Sequence, residues 1–195
     1  MPVAYLLGRR EFYSMNFRVT PDVLIPRPET EFVVVALLAL VKEYSRIDRP
    51  LEIVDIGTGS GVLAICAANN LPASQVTAID ISPAALGVAR TNAEQHAVLD
   101  RIQFVESDLL SGIEANCQFD FAITNPPYIS ESEMVDLPAE VQCEPRLALC
   151  SGETGTECIC RIAEQATQHL KSGGWLITEI SPMIHEDVMA FFDQH

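Results

Sequence analysis

From residue 51 onward the chain alternates between short apolar stretches of strand length and segments of helical pattern. No other feature restricts the fold as much. Residues 51–56, 75–79, 102–106, 119–124 and 175–180 read as strands, and residues 62–68, 83–96, 157–170 and 184–192 as helices. Ser82 before Pro83 is a helix cap followed by proline in the first turn, where a missing N–H leaves no bond unmade. Gly173 and Gly174 are expected to stop the helix over 157–170. Strands separated by helices run parallel and cross over right-handedly. The expected fold class is therefore α/β: a doubly wound, mainly parallel, Rossmann-like sheet, with ligands bound beyond the carboxyl ends of its strands.

A short unit precedes this sheet. Residues 11–20 read as a hairpin with its turn at 14–16, and Pro21, Pro26 and Pro28 hold the next loop extended. Thr30 reads as a helix cap. Residues 31–44 read as a helix that is apolar almost all round and so deeply packed, followed by a polar break over 47–50. The expected division is residues 1–30, hairpin and linker, then residues 31–195, one α/β domain.

With 195 residues, of which 48% are hydrophobic and 20% charged, the chain can bury a sizeable core. No apolar run approaches the roughly 18 residues of a membrane span. No basic-then-apolar signal opens the chain, so a cytoplasmic location is expected. A formal net charge of -15 repels phosphate backbones. That disfavours a nucleic-acid partner and favours a neutral or basic protein, and with no long apolar run no membrane partner is expected. Cys66, Cys117, Cys143, Cys150, Cys158 and Cys160 include no CxxC pair, and the spacing of Cys158 and Cys160 on a helix points them to different faces. Reduced, mostly buried thiols are expected, with no metal site. His96, His169, His185 and His195 lie away from every motif and read as surface residues.

The chemistry concentrates at strand ends. Asp55 and Ile56 lead into Gly57, Thr58, Gly59, Ser60 and Gly61, which end one strand and open a helix. Glycines there allow a tight turn and close approach of backbone to ligand. The Gly-x-Gly-x-Gly spacing differs from the dinucleotide fingerprint. Alone it also fits a plain tight turn. Asp80, with Ile81, closes the next strand, where a carboxylate can accept both ribose hydroxyls. Asp108, with Leu109, follows the third strand and could accept from an adenine amino group. Asp55 could face a ligand ammonium. Three acids at three successive strand ends suit a ligand carrying an amine, a ribose and a cationic centre. They suit S-adenosylmethionine better than NAD, whose pyrophosphate they would repel.

Asn125, Pro126, Pro127 and Tyr128 follow the strand over 119–124. Consecutive prolines fix the backbone and remove two donors. The Asn125 side-chain oxygen and the Pro126 carbonyl could each accept one hydrogen of a substrate NH2, while Tyr128 offers a face for a planar group. A delocalised nitrogen is a poor nucleophile. Two acceptors would aim its lone pair at the methyl and stabilise positive charge growing on it, with no strong base required.

These residues resemble the class I S-adenosylmethionine methyltransferases, and more narrowly the HemK-type release-factor glutamine methyltransferases. The resemblance covers nearly the whole chain. It runs through residues 2–8 and 11–13, Ile25-Pro26-Arg27-Pro28-Glu29-Thr30-Glu31, the glycine loop, residues 80–83, 125–129, 144–149 and 173–175. It implies a catalytic domain over residues 31–195. It also implies methyl transfer to the glutamine amide nitrogen of a release factor's Gly-Gly-Gln loop, with S-adenosylhomocysteine as product. By the same resemblance, Asn125 and Pro126 would accept the amide hydrogens and Tyr128 would pack on the amide. Gly57 to Gly61, Asp80, Asp108, Leu109 and Asn125 would line the cofactor pocket, and Arg27, Pro28, Glu29 and Thr30 would form a loop closing over it. Against the family pattern, an N-terminal helical domain and the last antiparallel hairpin are expected to be missing. Residues 151–155, Ser181-Pro182 and Leu109 depart from the usual versions. A monomer is expected. Two other readings fit the same motifs: exocyclic-amine methylation of DNA or RNA, and a truncated cofactor-binding domain without turnover.

Overall fold

A computed structural model describes residues 1–43 and 49–194. Residue 44 of the expected helix, residues 47 and 48 of the polar break, and His195 lie outside the described residues.

Among the described residues, the central sheet is built from β3 (Leu51–Ile56), β4 (Ser74–Asp80), β5 (Ile102–Glu106), β6 (Phe119–Thr124) and β9 (Leu170–Thr178). Its order is β5-β4-β3-β6-β9, every neighbouring pair parallel. The chain starts in the middle and winds outward in both directions, so the strand order reverses beside β3. That reversal opens the crevice in which such sheets take ligands. α3 (Val62–Asn70), α4 (Pro83–Gln95) and α5 (Glu157–His169) are the crossovers, and α6 (His185–Phe192) follows β9. The Ser82 hydroxyl accepts from the Ala85 N–H at 3.2 Å with Pro83 behind it, as the cap reading requires.

Every residue of β6 is buried, because helices cover both faces of a parallel strand. One face packs Ile53, Ile65, Leu37 and Phe121 together; the other packs Val54, Ile79, Leu110 and Ile162. Asp120 sits in this buried strand. Burial alone would raise its carboxyl, but the Arg49 guanidinium at 2.5 and 2.8 Å, the Glu52 N–H and Lys171 at 3.0 Å hold it down at about 2.

Several expectations need correction. A short helix, α1 (Val3–Leu7), precedes the hairpin. The hairpin is β1 (Arg9–Phe12) and β2 (Met15–Arg18), and its turn is Tyr13-Ser14 rather than residues 14–16. Both turn residues have positive φ, +49° and +59°, the backbone of a tight two-residue hairpin that Asn-Gly usually supplies. This register puts Phe12 and Phe17 in the main core. Thr30 does not cap α2 (Glu31–Glu43). It lies in a 3-10 turn, Pro28–Thr30, and its side chain is spent elsewhere. α2 is not buried all round: Val33, Val34 and Leu37 face the core, while Phe32 is 74% exposed. Gly173 and Gly174 do not stop α5, which already ends at His169; they lie within β9. Gly173 takes φ +79° where the β6–β9 register shifts, and a Cβ on Gly174 would approach the Asp120 carbonyl at 3.1 Å. Of the cysteines only Cys66 is buried, and all six are free. His169 is buried, its Nδ1 3.0 Å from the Cys117 carbonyl, and His96 packs on Phe17; His185 is exposed as expected. No helix among the described residues is long and apolar enough to cross a membrane.

Candidate active site

The glycine loop is held by the acids around it. Asp55, at 1% exposure, accepts through Oδ2 from the Thr58 hydroxyl at 2.7 Å and from the Ala64 N–H at 3.0 Å. Its Oδ1 is buried with no hydrogen-bond partner among the described residues. Burial pushes this carboxyl up to about 7, against the pull of Thr58 and Ala64 and helped by the charge of Asp80. Asp80 accepts from the Gly59 N–H at 2.8 Å and the Ser82 N–H at 2.9 Å; burial raises it, and these bonds oppose the rise. Gly57 and Gly59 have φ of +73° and +54°, and a Cβ on either would meet open space. Gly61 is different. A Cβ there would lie 3.0 Å from Ile65 Cδ1 and 3.1 Å from Ala89 Cβ, so this glycine serves the packing of α3 on α4. Thr58 and Ser60 are buried, Ser60 through its carbonyl under the Asn92 amide at 2.8 Å.

A cavity of about 370 Å³ opens beside this loop, and Asp55, Thr58, Ser60 and Gly61 lie behind its wall rather than on it. Gly57, Gly59, Asp80, Ile81, Asp108, Leu109 and Asn125 all line it. Asp108 is ion-paired with Arg161 of α5 at 2.7 Å, so one carboxylate oxygen is engaged before any ligand arrives. Leu109 takes φ +53°, a conformation few non-glycine residues adopt, directly beside the cavity. Asp22, Val23 and Leu24 supply a further wall.

A smaller cavity of about 60 Å³ adjoins it. Pro126, Tyr128 and Arg27 line the smaller one; Asn125, Pro127, Leu24 and Ala148 border both. Arg27 reaches Glu144 at 2.6 Å, and Glu144 also accepts from the Ile25 N–H at 2.9 Å. That carboxylate, 2% exposed, pins the loop from Ile25 to Arg27 to the segment preceding β8 (Cys150–Gly152). Thr30, 2% exposed, donates to Glu179 at 2.7 Å and accepts from Asn125 Nδ2 at 2.9 Å. The Tyr128 hydroxyl lies 3.5 Å from the other Glu179 oxygen. Burial, with the charge of Glu179, pushes Tyr128 up, and burial likewise raises Glu179. Pro28 and Glu29 are exposed and line neither cavity.

The structure thus brings Gly57, Gly59, Asp80, Asp108, the Asn125 to Tyr128 turn and Arg27 around the two cavities, while Asp55, Thr58, Ser60, Gly61, Pro28, Glu29 and Thr30 line neither. Glu179, Glu144, Arg161 and Leu24 were not singled out from the sequence. Glu179 falls inside the strand expected over 175–180, so its place just past the end of β9 was not legible. Glu144 opens the stretch 144–149 that carries the family resemblance, but its partners lie up to 119 positions away and its role was not legible.

This strand order, with its loop after β3 and its acids after β4 and β5, is the class I methyltransferase fold. The crystal structure of a ribosomal protein L11 methylase from Lactobacillus delbrueckii subsp. bulgaricus shares it at a TM-score of 0.61 and 22% identity, over 86% of this chain and 69% of that one. The chain belongs to the methyltransferase small domain family, whose model matches residues 36–143. It is 50% identical, over 94% of its length, to a release factor glutamine methyltransferase of Rhodopirellula baltica. It is 44% identical, over 96%, to one of Koribacter versatilis. It spans 62% and 65% of the length of these two relatives.

Proposed function

We propose that this chain transfers a methyl group from S-adenosylmethionine to the side-chain amide nitrogen of the glutamine in the Gly-Gly-Gln loop of a peptide chain release factor, in the cytoplasm and as a monomer. The observation that carries the reading is Asn125, which borders both cavities, one of cofactor size and one that would admit only a small planar group. The names of the relatives support the same substrate. Residues 31–195 would be the catalytic unit, and residues 1–30 would complete its wall.

The site fits the cofactor. The open faces of Gly57 and Gly59 admit a ligand against the backbone, and Asp80 and Asp108, both lining the cavity, have lone pairs left for ribose and adenine. S-adenosylmethionine supplies, when bound, a methyl group activated by its sulfonium. Asn125 Oδ1 and the Pro126 carbonyl would hold the two hydrogens of the substrate NH2, and Tyr128 would cover the amide plane. This fixes the nitrogen in the reactive direction and stabilises its growing positive charge. The proton lost afterwards needs no dedicated base, because a methylated amide nitrogen bearing two hydrogens is strongly acidic. Incubation with labelled S-adenosylmethionine and a release factor tests the reading. Label should enter the wild-type factor and be absent from one whose loop glutamine is alanine; label persisting in that variant excludes this substrate.

Asp55, under the glycine loop, gives the stability of the fold a pH dependence. Its folded-state value of about 7 lies above the ordinary 3.8, so between those values the folded protein holds a proton that the unfolded chain has released. This contribution to the stability of the ligand-free protein therefore falls as pH rises through that window. The ligand-free protein should therefore melt at a lower temperature at about pH 7 than at about pH 5.5 through this group. Thermal melting at the two values checks this, and Asp55→Asn should flatten the difference.

A further inference from the structure

Glu179 is the first residue after β9, and its N–H bonds the Thr124 carbonyl at 3.1 Å, one residue before Asn125. Its carboxylate, Thr30 and Asn125 form a chain of hydrogen bonds whose direction is fixed at one end. An ionised carboxylate can only accept. The hydroxyl proton of Thr30 must therefore point to Glu179, across 2.7 Å. Thr30 Oγ1 is then left as an acceptor, and Asn125 must turn its NH2 toward it, across 2.9 Å. The planar amide consequently presents Oδ1 on its other side.

We infer that Glu179 and Thr30 are positioning residues that set the orientation of the Asn125 amide and so restrict the site to substrates offering an NH2 group. The inference rests on the proposed reading of Asn125 as an acceptor. If the amide were reversed, its NH2 would face the substrate NH2, donor against donor. One Asn125 orientation binds the substrate and the other repels it, and the isolated side chain has no preference between them. The Glu179 carboxylate supplies that preference. It also reaches the Tyr128 hydroxyl at 3.5 Å, so one residue at the end of β9 tethers both sides of the slot.

Three variants of the full chain test this. Thr30→Val keeps the shape and removes the hydroxyl. Thr30→Ser restores it. Glu179→Gln can donate to Thr30 and so removes the constraint on direction. Thr30→Val and Glu179→Gln should lower kcat for a release factor about 30-fold, with the Kd for S-adenosylmethionine within about twofold of wild type. Thr30→Ser should return to within about threefold of the wild-type kcat. A wild-type kcat in Thr30→Val, or a loss that Thr30→Ser does not repair, would overturn the inference. A second readout is independent of turnover. In 15N-labelled wild type, one Asn125 side-chain NH2 proton should exchange slowly and show a nuclear Overhauser contact to the side chain at position 30. The slow exchange should vanish in Thr30→Val. An Asn125 amide without a protected proton in wild type would overturn the inference, even if no release factor is methylated and the substrate reading has failed on its own account.

Discussion

Asn125→Ala should lower the single-turnover methylation rate about a thousandfold, the loss expected when one preorganised polar partner of a developing charge is removed from a dry site. Asn125 is half-buried, its NH2 is held by Thr30, and it stands where the two cavities meet. Alanine leaves the Pro126 carbonyl as the single acceptor and lets the substrate amide rotate about its remaining bond. Both the aim of the lone pair and the stabilisation of the positive charge are then lost. The cofactor should still bind, since Asp55, Asp80 and the glycine loop make no hydrogen bond to this side chain. Rates measured at saturating cofactor, with affinity measured separately by calorimetry, check both halves. A loss below tenfold would mean that the Asn125 oxygen does not touch the reacting group.

Gly155→Ala should reduce kcat by up to about a hundredfold without unfolding the protein, because misplacing a reacting group by about 1 Å carries that order of penalty. Gly155 has φ +86°, and a Cβ there would lie 2.7 Å from the Tyr128 carbonyl oxygen and 3.4 Å from the Ser130 N–H. These are backbone atoms, so no side chain can swing aside. On its other side Gly155 is held by its own N–H bonding Glu157 of α5 at 3.0 Å, while Glu157 also takes the Thr154 N–H at 2.8 Å. The displacement therefore falls on the turn carrying Pro127 and Tyr128. The left-handed backbone at an alanine should also reduce stability by about 1 kcal/mol. Kinetics and thermal melting together separate the two effects; a variant with wild-type kcat would show that the Tyr128 backbone is free to move.

Local chemistry decided what could be read from the sequence. The strands from β3 to β6 and the cap at Ser82 follow from runs of neighbouring residues, and each motif at a strand end was found because the sheet's own rule says where ligands sit. The hairpin turn was misplaced because Tyr13 and Ser14 adopt positive φ without the glycine or asparagine that announces it. Thr30 looked like a cap because its position before α2 is a cap position, whereas its hydroxyl is claimed by Glu179, 149 residues away. Gly173 and Gly174 looked like a helix stop because glycine usually is one; the bulge that uses them is set by register against β6. His169 and the exposed face of α2 depend on which neighbours cover them, which no local pattern encodes. Arg161, Glu144 and Glu179 share this property. Each acts on a distant partner.

The two clasps that finish the pocket, Glu144 with Ile25 and Arg27, and Glu179 with Thr30, join segments made early to segments made late. Closing such long loops is the slow part of folding. During synthesis the glycine loop and all three acids leave the ribosome well before their enclosing wall can be fastened. A chain halted before residue 179 therefore carries every motif by which this family is recognised, yet has nothing to turn Asn125 the right way.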